Sequence, residues 1–117
     1  MTKAIIILTF LSLLPSNEIQ IKKPENFIIA DVSAYSSSVD ETDDTPFITA
    51  SGKTVENGII ANNCLSFGTE VEFEGNQYIV QDRMNKRYGC EKFDIWLPSK
   101  EEAQRFGVAK GYRIEIQ

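Results

Sequence analysis

Two aspartates bracket a cationic loop in QDRMNKRYGCEKFDIW, the stretch from Gln81 to Trp96, and they are the residues best placed for acid–base chemistry. The 117-residue chain contains no histidine. Proton transfer near neutral pH therefore falls to carboxylates. Asp82 follows the strand-forming run YIVQ, and Asp94 sits inside KFDIW, so both belong to regular elements that hold a side chain more rigidly than a loop tip does. A period of two places Asp94 and Trp96 on one face of their strand, with Phe93 and Ile95 on the other. A carboxylic acid partly desolvated beside an indole keeps its proton to higher pH, which a general acid requires. The plainer reading is that Asp82 caps the turn and Asp94 pairs with Lys92 or Arg87 at a strand edge.

Other clusters carry less. DETDD, with Asp40, Glu41, Asp43 and Asp44, is acidic, but it continues into Thr45-Pro46 and lacks the glycine and distal glutamate of an EF-hand loop. It reads as a solvated loop, and no metal site is expected. Cys64 and Cys90 are too few for structural zinc, and neither has a histidine to activate it as a nucleophile. In an oxidising compartment an even count suggests one disulfide, which would stabilise the fold by roughly 3 to 4 kcal/mol. The formal charge of -5 argues against a nucleic-acid partner, because phosphate neutralisation needs a basic surface.

The elements that must position the aspartates are short. FIIADVSAYS (27–36) reads as a first strand, and SSSVDETDDTP (36–46) as a polar loop. FITASGKTVENGIIA (47–61) reads as a strand, a turn at Ser51-Gly52, and a second strand ending on Ile59 and Ile60. Val71 and Phe73, then Tyr78 and Val80, alternate around Gly75-Asn76 as a half-buried hairpin. EKFDIWLP (91–98) is a further strand. Ser99 with Glu102 forms a capping box that starts a short helix ended by Gly107. GYRIEIQ (111–117) alternates Tyr112, Ile114 and Ile116 as a closing strand. Six or so short strands and one late helix predict a mainly β fold, a small β-barrel.

The N-terminus differs in kind. Lys3, an apolar run from Ala4 to Leu14, then Pro15 and Ser16 fit a secretory leader over residues 1–16, although no Ala-x-Ala precedes Asn17. The run is shorter than the roughly 20 apolar residues of a membrane span. A buried N-terminal strand or helix is the alternative. Residues 17–27, with Pro24 and many polar groups, read as a tether, which leaves 28–117 as the folded domain.

Taken in order, VSAYSS, TPFITASG, GIIANN, FGTEVEF, YIVQDRMNKR, FDIW and EEAQRFG resemble the three-aspartate domain over about residues 28–116. That family is a six-stranded double-psi β-barrel found in exported bacterial wall proteins, including stationary-phase-survival proteins. It is also the catalytic barrel of the A-type membrane-bound lytic transglycosylase. The resemblance implies a secreted, periplasmic or wall-associated monomer whose partner is the glycan strand of peptidoglycan and which uses no cofactor. It places the family's second acid on Asp82 and its third, the catalytic one in the transglycosylase, on Asp94. The first acid falls in IIANN, where Asn63 is the best match and cannot ionise. RMNKRYGC also replaces the family's glycine-rich turn. Thr49, Ser51 and Asn63 become candidate polar contacts to sugar, and Tyr35 and Trp96 candidate stacking platforms. Two functions follow as expectations: lytic cleavage of the glycan with Asp94 as acid and base, or wall binding without cleavage. A groove that binds another polypeptide is a third.

Overall fold

A computed structural model describes residues 26–38 and 47–117. The expected leader (1–16), most of the tether and the acidic DETDD stretch lie outside the described residues. The described chain is mainly β: β1 (Asn26–Tyr35), β2 (Ile59–Ala61), β3 (Glu70–Phe73), β4 (Asn76–Asp82), β5 (Lys92–Trp96), α1 (Lys100–Phe106) and β6 (Ala109–Ile116). The six strands close a barrel in the order β1-β5-β2-β4-β3-β6, the small six-stranded barrel with one late helix that the sequence predicts. β1 begins at Asn26, so Asn26 and Phe27 belong to the barrel and not to the tether.

Alternation builds the interior. Ala30 and Val32 of β1, Ile60, Val71, Phe73, Val80, Phe93, Ile95 and Ile114 form one buried cluster drawn from all six strands. Each large member contributes about 1.5 to 3 kcal/mol by leaving water. The opposite parity makes a second, smaller cluster on the outer side of the wall: Tyr35, Ile59, Ala61 and Trp96, with Val55 and Met84 against it. The candidate site rests on this second cluster. α1 starts at the expected N-cap, Ser99, with Glu102 three residues on: the Glu102 amide donates to Ser99 Oγ at 3.2 Å, and the Ser99 hydroxyl donates to Glu102 Oε2 at 3.1 Å. Gly107, at φ 69°, ends it.

Two local expectations are corrected. The hairpin turn is Glu74-Gly75, not Gly75-Asn76: Phe73 pairs with Asn76, and both loop residues have positive φ, 52° and 79°. A two-residue turn of this hand needs positive φ at both positions, and glycine settles in the second. Residues 47–55 turn at Ser51-Gly52 as expected but add no strand to the barrel, and the second expected strand is confined to Ile59–Ala61. An isolated bridge joins Ile48 to Thr54, the Thr49 amide donates to the Lys53 carbonyl at 2.8 Å, and the Val55 amide donates to the Phe47 carbonyl at 3.1 Å. The Thr49 hydroxyl accepts from the Lys53 amide at 3.1 Å, and the Gly52 amide donates to the Thr49 carbonyl at 2.9 Å. Such side-chain turns compete with ladder pairing. The loop crosses instead onto β4, where the Ser51 amide donates to the Gln81 carbonyl at 3.2 Å.

Candidate functional site

The barrel order places β2 between β4 and β5, and Ala61 is the Cα partner of both Asp82 and Asp94. Asp94 in turn pairs with Ser33 of β1. Ser33, Asp94, Ala61 and Asp82 thus form one transverse row across four strands, with the two aspartate Cα atoms about 10 Å apart, two strand spacings. A register shift between Ile60 and Ala61 brings Asp82, not Gln81, into that row. Alternation sends Phe93 and Ile95 inward, so Asp94 lies on the outer face, as expected. A small residue between the acids leaves the space above Ala61 to their longer side chains.

The two carboxylates are held differently. Asp82 Oδ2 accepts from the Tyr35 hydroxyl at 2.6 Å, and Oδ1 accepts from the backbone amides of Ala50 and Arg83 at 2.8 and 2.9 Å. Asp82 therefore joins β1, the 47–58 loop and the start of the cationic turn, which is the capping role of the plainer reading on a wider scale. Asp94 Oδ1 accepts from Ser33 Oγ at 3.0 Å. Burial, the hydrogen bond to Asp82, and the charges of Asp82 and Asp94 all push the Tyr35 phenol well above its ordinary pKa, so it stays a donor throughout the neutral range. Both carboxylates act on one hydroxyl, which makes them parts of a single electrostatic unit.

The expected sugar contacts are otherwise engaged. Tyr35 and Trp96 are only 8% and 9% exposed, and they floor the site instead of standing open for stacking. Trp96 Nε1 donates to Ser37 Oγ at 2.9 Å. Thr49 is 4% exposed, and its hydroxyl lies 2.9 Å from that of Ser51. Asn63 Nδ2 donates to the carbonyls of Asn85 and Tyr88 at 2.9 and 3.1 Å, and its Oδ1 accepts from the Met84 amide at 2.7 Å. Its neighbour Asn62, fully buried, donates to the Cys90 and Lys92 carbonyls at 3.1 and 3.0 Å and accepts from the Cys64 and Leu65 amides, each at 2.8 Å. Each amide gives two hydrogen bonds to carbonyls, which a carboxylate cannot do. That is the physical reason for asparagine in IIANN.

The Cys64–Cys90 disulfide is formed, with Cα atoms 5.3 Å apart, and closes the same loop from its far end. The loop's two arginines are also engaged. The Arg83 guanidinium stacks 3.9 Å from the Phe67 ring centroid and donates to the Asn62 carbonyl at 2.8 Å, while Arg87 Nη2 donates to Tyr88 Oη at 2.8 Å. The cationic turn is a cross-linked wall beside the acids. Ser33 is the site residue that sequence reasoning missed, although its spacing from Tyr35 in VSAY already put both on one strand face.

Among the described residues, no group of three or more Asp, Glu or Cys side chains is placed to hold a metal, and no helix is long and apolar enough to cross a membrane. No family model matches the chain, and no curated protein matches it.

Proposed function

We propose that this protein is an exported, peptidoglycan-active enzyme of lytic transglycosylase type. The observation that carries the reading is the row in which Ala61 separates Asp94 from Asp82 on one outer face, with Tyr35 reaching Asp82. It joins the resemblance to the three-aspartate domain, whose acid at the position of Asp94 is the catalytic one in the A-type lytic transglycosylase. Asp94 acts as the acid. It gives its proton to the glycosidic oxygen as the bond from C1 of N-acetylmuramic acid to N-acetylglucosamine breaks. The muramoyl O6 then bonds to C1, and its proton returns to Asp94. The product is a 1,6-anhydro ring, no water is consumed, and one carboxylate serves both halves, unlike the paired carboxylates of hydrolytic glycosidases. Asp82, committed to three donors, is the fixed neighbour that orients the site, and Ser33 holds the Asp94 carboxyl in line.

A second reading, wall binding without cleavage, has its own support. The family's first acid is absent, and Asn62 and Asn63 are both consumed by backbone contacts, so the site holds two carboxylates and not three. Incubating the protein with purified sacculi separates the readings. Cleavage predicts soluble anhydro-muropeptides from wild type and none from Asp94→Asn. Equal release by both removes Asp94 from the chemistry. Pelleting with sacculi and no soluble product from either selects the binding reading.

A further inference from the structure

A pocket of roughly 540 Å³ is lined by residues between Lys53 and Ile59 and by residues of β3 and β4, and Asp94 is not among its lining residues. Its apolar base is Ile59 together with Ile79, which is 40% exposed on β4. Its polar lining includes Asn57, Gln77 and Gln81. Among the described residues none of these three amide side chains hydrogen-bonds within the protein, in direct contrast to Asn62 and Asn63. Three amides that both donate and accept, set around a small aliphatic floor, match a ligand whose hydroxyl and acetamido groups also do both and whose ring presents a C–H face. Glu56 and Glu70 on the rim, against Lys53 alone, disfavour an anionic ligand.

We infer that this pocket is a saccharide-binding site for an uncharged, N-acetylated aminosugar unit, and that it supplies the sugar contacts Thr49, Ser51 and Asn63 do not make. The inference rests on the glycan reading above for its choice of ligand. The pocket adjoins the acids through the chain itself. Gln81 directly precedes Asp82, and the loop that roofs the pocket donates its Ala50 amide to Asp82. A strand engaged here would meet the same loop that braces the acid pair.

The probe is tri-N-acetylchitotriose, titrated into the intact protein while backbone amide resonances are followed. The expected result is saturable shifts at Gly58, Gln77, Ile79 and Gln81. The Gln77→Ala/Gln81→Ala double variant, with an unchanged unfolding midpoint, binds about tenfold more weakly, as loss of two modest hydrogen bonds requires. No shift at millimolar probe, shifts confined to Ser33 and Asp94, or undiminished binding by the double variant each overturn the inference. The sacculus assay is independent of this one. Cleavage without pocket binding leaves the enzyme reading standing and removes the pocket, and pocket binding without cleavage does the reverse.

Discussion

The clamp that Asn62, Asn63 and Cys64 form with the loop from Arg83 to Cys90, and the pocket beside Gln77 and Gln81, are built from similar polar residues used in opposite ways. In the first, the Asn62 and Asn63 amides are spent on backbone carbonyls, Arg83 stacks on an aromatic ring, and a disulfide closes the segment. In the second, the amides face an opening and bond to nothing among the described residues. A polar residue near a candidate site can thus be scaffold or recognition, and its hydrogen-bond partners decide which. Substitutions on the clamped side should act on stability, and those on the pocket side on binding.

The largest effect expected is loss of the disulfide. The Cys64→Ala/Cys90→Ala variant, which frees a loop of 26 residues, should lose about 3.5 kcal/mol of unfolding free energy in urea titration. A loss below about 1 kcal/mol would mean that Asn62 and Asn63 hold the loop unaided. Next comes Asn62→Asp, which turns two donors toward carbonyls into acceptors in a fully buried place and should cost about 3 kcal/mol. If this variant is as stable as wild type, the amide is not the reason for asparagine there.

Tyr35→Phe should cost about 2 kcal/mol, the loss of a hydrogen bond to a charged acceptor. It also carries a pH signature. The folded-state pKa of Tyr35 is raised, so above the unfolded value of about 10 the native state binds the extra proton, and stability falls as pH rises. Below pH about 10 this contribution is fully present; above it, Tyr35 accounts for up to about 1.4 kcal/mol per pH unit. Tyr78 is raised as well, by burial, so the phenylalanine variant should keep a shallower alkaline decline. Equal slopes for the two proteins between pH 10 and 11.5 would contradict the assignment. The smallest effect is on the open side, where Gln77→Ala should change stability by less than about 0.5 kcal/mol while weakening saccharide binding. A larger loss of stability would place Gln77 with the scaffold.

What the sequence determined by itself was local. Alternation in KFDIW and VSAY sets which side chains face in, Ser99 and Glu102 start the helix, and an even cysteine count foreshadows the bridge. Alternation and the cap survive because they depend on neighbours two to four residues away, whereas the bridge joins positions 26 apart and was legible only as a count. The hairpin turn slipped by one residue, and the strand expected from Phe47 shrank to a single bridge, where side-chain turns and positive φ outweighed a strand-like composition. Only tertiary structure decided that β2 lies between β4 and β5, that Ala61 separates the two aspartates, and that Tyr35 reaches Asp82 across 47 positions. The same holds for the fate of the amides: nothing local distinguishes Asn63 from Gln77, and the partners that do lie on other strands and loops. Periodicity fixes the face a residue occupies, but pairing between distant segments fixes its neighbours, and chemistry depends on neighbours.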